Sequence, residues 1–526
     1  MNHFERIRNI QGFLRNIEGW LFANDLSPQD RLEIMTIPNC VLVTGVTGFL
    51  GKVVLEHLVR QHKKLNCTKI IVLVRGRNGI DGERRFRETV VPSACFSLLL
   101  EAWDNMVEVV TGDLVDSDLG ILDSISERIQ TEITHIIHCA GCVKFDRALA
   151  EAAAANVSTV LNILEFARKC THFQHLVSTS TAYVTPHRLG PIRETLTPLP
   201  YEPSEVYRDI LDGKTSETEL LNQTKHPNTY TLSKCIAEHM LVANRGSVPL
   251  TIVRPSIISA SWRLPFPGWI DSLSAFAGFL AAYGNGLLGV IDADSQTILD
   301  IVPVDEVANR LLGVTFQETA PSAVQIKYAT ASLCNGLPIS MVCTNSIKHF
   351  LQHRAASFRS PKVHYLGPRG IQFHIYDTIY QKLPLFLASV FYTLSQNDRM
   401  RRRLVRIRAG LASLNRDFPY FTHHSFNFRP STHLPDDFEP EQYLETTLHG
   451  IRKHLLRDPA SDTKPLKLSK PIRQLTSSSQ LLQAAMSFRM SPFAVLVGTL
   501  GVACVWRLSQ VDSHAWRLPD LLACFS

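Results

Sequence analysis

Little in this sequence of 526 residues suggests a secreted, disulfide-held or nucleic-acid-binding chain. Its 11 cysteines are odd in number and scattered from Cys40 to Cys524, so they form no paired framework, and a reducing compartment is expected. The one close pair, Cys139-Ala-Gly-Cys142, has no second Cys or His pair nearby, so no metal site is expected and the pair is read as strand-end packing. The net charge of +6 is small for the length, and no basic stripe is interleaved with aromatics, which argues against nucleic acid. The start, Asn2-His-Phe-Glu-Arg-Ile-Arg8, lacks the apolar core and cleavage site of a signal peptide. The end, Ala523-Cys-Phe-Ser526, is not a Ser-Lys-Leu signal, and no internal repeat is apparent. At 45% hydrophobic residues, a chain of this length can bury one large α/β core and a second module.

What is present begins at Cys40. A short apolar strand, Cys40 to Val43, breaks into Thr44-Gly-Val-Thr-Gly-Phe-Leu-Gly51, and a helix starts near Phe49. Gly45 permits the tight turn, Gly48 lets the backbone approach a pyrophosphate, and Gly51 lets the helix lie against the strand; Thr44, Thr47, Phe49 and Leu50 complete the expected cradle. Glycines at this spacing alone can be purely structural, but a strand before and a helix after point to a dinucleotide. A second strand, Lys69 to Val74, ends at Arg75-Gly-Arg77, where an acid would otherwise meet the ribose hydroxyls. Guanidinium groups suit a 2′-phosphate, so NADPH is preferred over NADH; the alternative is that both are solvated loop charges. A third strand ends at Asp113-Leu114, placed at the adenine edge, and a fourth, Ile133 to His138, brings Cys139 and Ala140 under the cofactor.

Tyr230 and Lys234 are four residues apart in a stretch, Thr231 to Ala243, that reads as a helix, so they share a face. A lysine ammonium there is expected to lower the phenol pKa and ready the tyrosine for proton transfer, although such pairs also occur by accident on solvent-facing helices. A fifth strand, from His175, ends in hydroxyl side chains. Thr179 is chosen as the second donor to a substrate carbonyl, with Ser178 and Thr181 as open rivals and turn capping as the alternative role.

In these segments the chain resembles an extended short-chain dehydrogenase/reductase, and more narrowly a fatty acyl-CoA reductase. The match continues through His138-Cys-Ala-Gly, Val143-Lys-Phe-Asp146, Pro227-Asn-Thr-Tyr-Thr-Leu-Ser-Lys234, Val253-Arg-Pro-Ser-Ile257 and Asp300-Ile-Val-Pro-Val-Asp305. Its most specific part is Pro265-Phe-Pro-Gly-Trp-Ile-Asp271, and Phe426-Asn-Phe428, Asp436-Asp-Phe438 and Gly450-Ile-Arg-Lys-His454 extend it into a second domain, so that it covers roughly residues 40 to 460. The resemblance implies a membrane-associated enzyme that uses two NADPH to reduce a long-chain acyl-CoA to a fatty alcohol through a bound aldehyde, with Tyr230 and Thr179 on the oxyanion. It also implies a cofactor contact at Pro255 and a role for Asn156 in positioning the lysine. Reduction of a sterol or another lipid, a reaction stopping at the aldehyde, and an inactive NADPH-binding scaffold are the alternatives.

The expected fold is α/β: a doubly wound Rossmann-type parallel sheet, a mainly helical C-terminal domain and a C-terminal hydrophobic segment. The divisions are an amphipathic extension over 1–38, the NADPH-binding reductase domain over 39–335 with its substrate portion at about 185–330, a helical domain over 336–460, and a linker with an anchor over 461–526. In the extension, Phe4, Ile7, Ile10, Phe13 and Ile17 share a helical face with arginines opposite; packing on the domain is preferred to lying on a membrane. The uncharged run Met490 to Trp506 sits at the lower limit for spanning, where about 17 to 25 residues are usual. An anchor is favoured there, with a re-entrant hairpin or buried helix still open, and the membrane expected is that of the peroxisome or endoplasmic reticulum with the catalytic part cytosolic. Arg399 to Arg408 is the dense basic run, suited to anionic lipid, to coenzyme A phosphates or to plain solvent. The apolar stretches Pro384–Leu394 and Leu273–Ile291 are read as acyl-groove lining or core.

Overall fold

Continuous runs of Val, Ile and Leu, apolar on both faces, are what a parallel strand needs when helices cover both sides of its sheet. The computed structural model, which describes residues 38–273, 275–284, 286–317, 324–353 and 363–458, puts those runs in one sheet. Its strands are β1 (Asn39–Thr44), β2 (Cys67–Val74), β3 (Val107–Thr111), β4 (His135–His138), β5 (His175–Thr179), β6 (Leu250–Pro255) and β7 (Val324–Ala329). All neighbours are parallel, in the order β7-β6-β5-β4-β1-β2-β3. From β1 the chain winds outward through β2 and β3, then returns to the other side of β1 as β4. The crevice between the carboxyl ends of β1 and β4 is therefore the switch point where such sheets take ligands.

Helix α1 (Phe49–Gln61) and α5 (Val304–Thr315) share one apolar core on the first face. Helices α3 (Thr159–Lys169) and α4 (Thr229–Asn244) fill the second. Between β2 and β3 lies α2 (Gly82–Thr89), capped by Asp81, whose carboxylate accepts from Arg84 N. The helix leading into α3 passes through a π turn at Ala154–Ser158. One buried ion pair, Arg254 on β6 with Glu238 on α4 (Nη2 to Oε2 2.5 Å), locks the helix to the sheet.

The C-terminal part is mainly helical and includes α6 (Ile371–Asp377), α7 (Leu383–Leu394), α8 (Asp398–Asp417) and α9 (Pro440–Gly450). It does not stand apart. Ile192 N donates to Asn427 O and Arg429 N to Ile192 O, both 2.9 Å, and Phe426 and Phe428 are buried with Tyr183 and Tyr328. The motif at 265–271 is the second clasp. Trp269 stacks on Phe49 of α1 at 5.2 Å between ring centroids, and Asp271 pairs with Lys52 at 2.5 Å. Gly268 and Gly450 pass so closely that a Cβ on Gly450 would lie 1.8 Å from the Gly268 carbonyl oxygen. The specificity of that motif is thus tertiary: it holds the nucleotide helix and α9 together.

No helix of the described residues is long and apolar enough to cross a membrane. The amphipathic extension, but for its last residue, and the hydrophobic segment 490–506 lie outside the described residues. The stretch Pro384–Leu394 neither lines the cavity described below nor forms core throughout, because Phe386, Val390, Phe391 and Leu394 are exposed. Leu273 and Ala277 do reach the cavity, while Leu280 and Tyr283 are core.

Candidate active site

At the switch point the β1 turn is built by backbone contact. Gly45 has φ +80°, and a Cβ there would meet Ala140 N at 2.7 Å, so the turn lies directly on the end of β4. A Cβ on Gly51 would lie 2.1 Å from Gly45 O, which presses α1 against its own turn. Gly48 is the N-cap of α1; no side chain caps that end and no acid stands in its first turn, leaving N–H groups and a positive dipole end for an anion. Gly48, Phe49 and Leu50 face the cavity. Thr44 does not, contrary to expectation. It is fully buried, its hydroxyl 2.9 Å from His138 Nδ1 and accepting from Ala140 N at 3.3 Å, and so holds β1 to β4 beneath the cradle.

Around the end of β2 the structure gathers Arg75 and Arg77 with a third cation that the sequence reading missed. Arg85 of α2 donates to Arg75 O at 2.8 Å and to Thr47 Oγ1 at 3.1 Å. Burial, with the charges of Arg75 and Arg77 beside it, pulls its pKa down. Asp113 lies 3.5 Å from Arg75, and its neighbour Leu114 packs into the second core. The signal for Arg85 was an arginine on a short helix capped just after the arginine loop. Its approach to Thr47 is a tertiary contact that spacing does not disclose.

Tyr230 and Lys234, the pair expected to handle the proton, line the same cavity as the glycine turn. Asn228 caps α4 by accepting from Thr231 N at 2.9 Å, and Thr229 donates to Arg147 O at 2.8 Å, which fixes where Tyr230 begins the helix. Lys234 Nζ donates to Thr179 O at 3.0 Å. Burial lowers its pKa to about 8, with Glu238 opposing the shift. Tyr230 differs from expectation: burial raises its pKa to about 12, a Thr181 hydrogen bond pulls the other way, and Lys234 is not among the causes. The lysine is held by a backbone carbonyl.

The rival hydroxyls now separate. Thr181 is the hydroxyl that acts on the Tyr230 phenol, pulling its pKa down, whereas Thr179 turns its side chain toward Cys139 (Oγ1 to Sγ 3.5 Å) and lends its carbonyl to Lys234. Ser178 is buried within β5. Asn156, in the π turn, accepts from Cys142 N (2.9 Å) and donates to Ser233 Oγ (3.0 Å) and Cys142 O (3.2 Å), tying the loop after β4 to α4. A Cβ on Gly141 would lie 3.1 Å from both Asn156 Oδ1 and Lys234 Nζ. Burial pushes the Cys139 thiol up to about 11, so it is a neutral packing group, and among the described residues no metal-holding cluster is found.

Both halves open on one cavity of about 580 Å³, which also reaches Pro255. Its lining joins the glycine turn, Thr179, Thr181, Tyr230 and Lys234 to the apolar Ile270, Leu273, Ala277, Leu414 and Phe418. Phe145 stacks on Tyr230 (5.7 Å) and meets Phe421 (5.8 Å), so the C-terminal part closes the cavity over the tyrosine.

A parallel sheet with this turn at its switch point and a Tyr-x-x-x-Lys helix across the crevice defines an extended short-chain dehydrogenase/reductase. The family model described as "Male sterility protein" matches residues 43–311. Fatty acyl-CoA reductase 1 of Gallus gallus is 30% identical over 451 residues, covering 80% of this chain and 85% of that protein. Fatty acyl-CoA reductase 2 of Mus musculus is 27% identical over 511 residues, covering 90% and 93%. Among solved structures, the terminal R domain from the myxalamid PKS-NRPS biosynthetic pathway shares the fold, with TM-score 0.54 and 21% identity over 80% of this chain and 92% of that one. The chain belongs to the fatty acyl-CoA reductase family. It is accordingly an oxidoreductase that works with a nicotinamide cofactor.

Proposed function

We propose that the protein reduces long-chain fatty acyl-CoA to fatty alcohol with NADPH, releasing coenzyme A. The observation that carries this reading is the shared cavity, whose lining combines Tyr230 and Lys234 with apolar side chains supplied partly by the C-terminal part. The free end of α1 suits the pyrophosphate, and Arg75, Arg77 and Arg85 suit a 2′-phosphate, because among the described residues Asp113 is the only acid paired with this trio. When bound, the reduced nicotinamide supplies hydride to the carbonyl carbon. The Tyr230 hydroxyl, with Thr181 beside it in the cavity lining, donates to the thioester oxygen as charge develops there. Collapse of that tetrahedral oxyanion re-forms a carbonyl and expels coenzyme A as its thiolate, which takes a proton from water; at the second reduction Tyr230 gives its proton to the alkoxide and is reprotonated from solvent. Lys234, fixed on Thr179 O, brings a buried positive charge to the same cavity. Asn156 keeps the loop after β4 in place. The reading includes a membrane setting, at the peroxisome or endoplasmic reticulum.

The test is NADPH consumption with palmitoyl-CoA in detergent, with products separated by chromatography. Fatty alcohol is expected. Aldehyde alone shortens the reaction, and absence of acyl-CoA-dependent oxidation contradicts the reading in favour of a sterol substrate or a silent scaffold. Arg85→Ala is expected to raise the KM for NADPH about tenfold, since a hydrogen bond from a charged group contributes about 1.5–3 kcal/mol, while leaving the KM for NADH unchanged. An equal effect on both cofactors would remove the arginine trio from 2′-phosphate recognition.

A further inference from the structure

Helix α8 joins the reaction cavity to the densest run of positive charge in the described residues. Its C-terminal end supplies Ser413, Leu414 and Asp417 to the cavity lining, with Ser413 Oγ donating to Asp417 Oδ2 at 2.6 Å. The cavity opens beside this end, because its lining residues Val143, Lys144 and Asp146 are exposed and Phe145 between them meets Phe418 at 6.3 Å. Arg416 pairs with Asp417 at 2.6 Å and stands 3.8 Å from Asp146, so both acids at the opening have a cation.

Six arginines stand earlier on α8, between Arg399 and Arg408. At about 100° per residue, Arg399, Arg402 and Arg406 fall with Ser413 and Asp417 inside a sector of about 60° around the axis. Leu404, packed with Ala388 and Tyr392 of α7, and Leu411, in the apolar core, lie on the opposite side. The face that lines the cavity therefore continues outward as a row of exposed arginines. At a rise of about 1.5 Å per residue, Arg406 lies about 10 Å beyond Ser413, Arg402 about 16 Å and Arg399 about 21 Å. Half-buried Arg403 lies next to this row: burial and the charges of Arg399 and Arg406 pull its pKa down, with Tyr392 opposing. Among the described residues Arg401, on another side of the helix, is the only one of the six with an acidic partner, Asp398 at 3.0 Å.

Guanidinium groups with no acid to answer them, set in a row, suit phosphate oxygens. An acyl-CoA whose carbonyl is at Tyr230 carries its first phosphate about 13 bonds from the sulfur, roughly 16 Å when extended, and its adenosine 3′-phosphate beyond that. We propose that Arg399, Arg402 and Arg406 hold the phosphates of coenzyme A, so that α8 guides the thioester into the cavity from its polar end. The assignment rests on the acyl-CoA reading above and deepens it.

Binding of free coenzyme A to the full chain, measured by calorimetry with NADP+ present to fill the nucleotide site, tests this without requiring reduction. Arg402→Gln/Arg406→Gln is expected to weaken it about 10–100-fold. Arg401→Gln/Arg408→Gln removes the same charge from another side of the helix and should leave it unchanged. With palmitoyl-CoA the first pair should raise KM and spare both kcat and the KM for NADPH, whereas palmitoyl-pantetheine, which has no phosphate, should be reduced alike by parent and variant. If coenzyme A binds as expected and neither thioester is reduced, the enzymatic reading fails and the phosphate site stands. No binding of coenzyme A by the parent, unchanged binding in Arg402→Gln/Arg406→Gln, equal loss in the two pairs, or displacement by inorganic phosphate at the same concentration as coenzyme A would each overturn the proposal.

Discussion

Tyr230→Phe is expected to lower kcat with palmitoyl-CoA by about 10²–10⁴-fold, the usual contribution of a positioned acid, while the KM values and thermal stability change little. The ring's stacking on Phe145 survives in phenylalanine, and only the hydroxyl is removed. Thr181→Ala should cost a smaller factor, and Thr179→Val less again, because Thr179 serves Lys234 through its backbone carbonyl. The same geometry sets the pH profile. A phenol raised to about 12 stays protonated through neutrality, so the group that titrates first is Lys234, lowered to about 8 by burial. Its charge is present below that pH and lost above it, so kcat/KM for reduction should fall as pH rises through about 8. A profile flat to pH 10 would detach the lysine from the reaction.

Gly51→Ala carries the second large effect. Its added Cβ would lie 2.1 Å from Gly45 O and 2.9 Å from Val46 Cα, both backbone, so relief requires opening the turn on which the cofactor site is built. Loss of about 1–3 kcal/mol of stability is expected, together with loss of nicotinamide binding measured by fluorescence. Gly313→Ala is the matched control. That glycine is exposed in α5 with nothing within 4 Å of a Cβ, so alanine there should stabilise by about 0.5–1 kcal/mol and leave binding intact. If Gly51→Ala binds cofactor like the parent, the glycine turn is not the pyrophosphate cradle.

Where sequence and structure agree, the information was local. The strand Cys40–Val43, the turn at Gly45 and the helix from Phe49 are each specified by a few adjacent residues, and β1 and α1 lie where those residues put them. The helix expected from Thr231 starts at Thr229, because its cap is the side chain of Asn228. What spacing could not show is tertiary. Arg85 reaches Thr47 across 38 positions, and the return of Asn427 to Ile192 crosses more than two hundred. The choice among Ser178, Thr179 and Thr181 depended on which hydroxyl points across the crevice, a matter of strand register and not of residue type. The phenol shift runs opposite to what an i, i+4 lysine implies, because burial dominates it and the ammonium is held by the Thr179 carbonyl. The Trp269 motif was recognised without its physical role, which is to pin α1 to the C-terminal part.

The central claim, that one cavity carries an acyl thioester through two successive reductions at Tyr230, is tested most directly by stoichiometry. Purified protein with a measured amount of palmitoyl-CoA and excess NADPH should oxidise two NADPH for each free CoA thiol released, with hexadecanol as the product. One NADPH per thiol with free aldehyde, or thiol release without any NADPH oxidation, would contradict it.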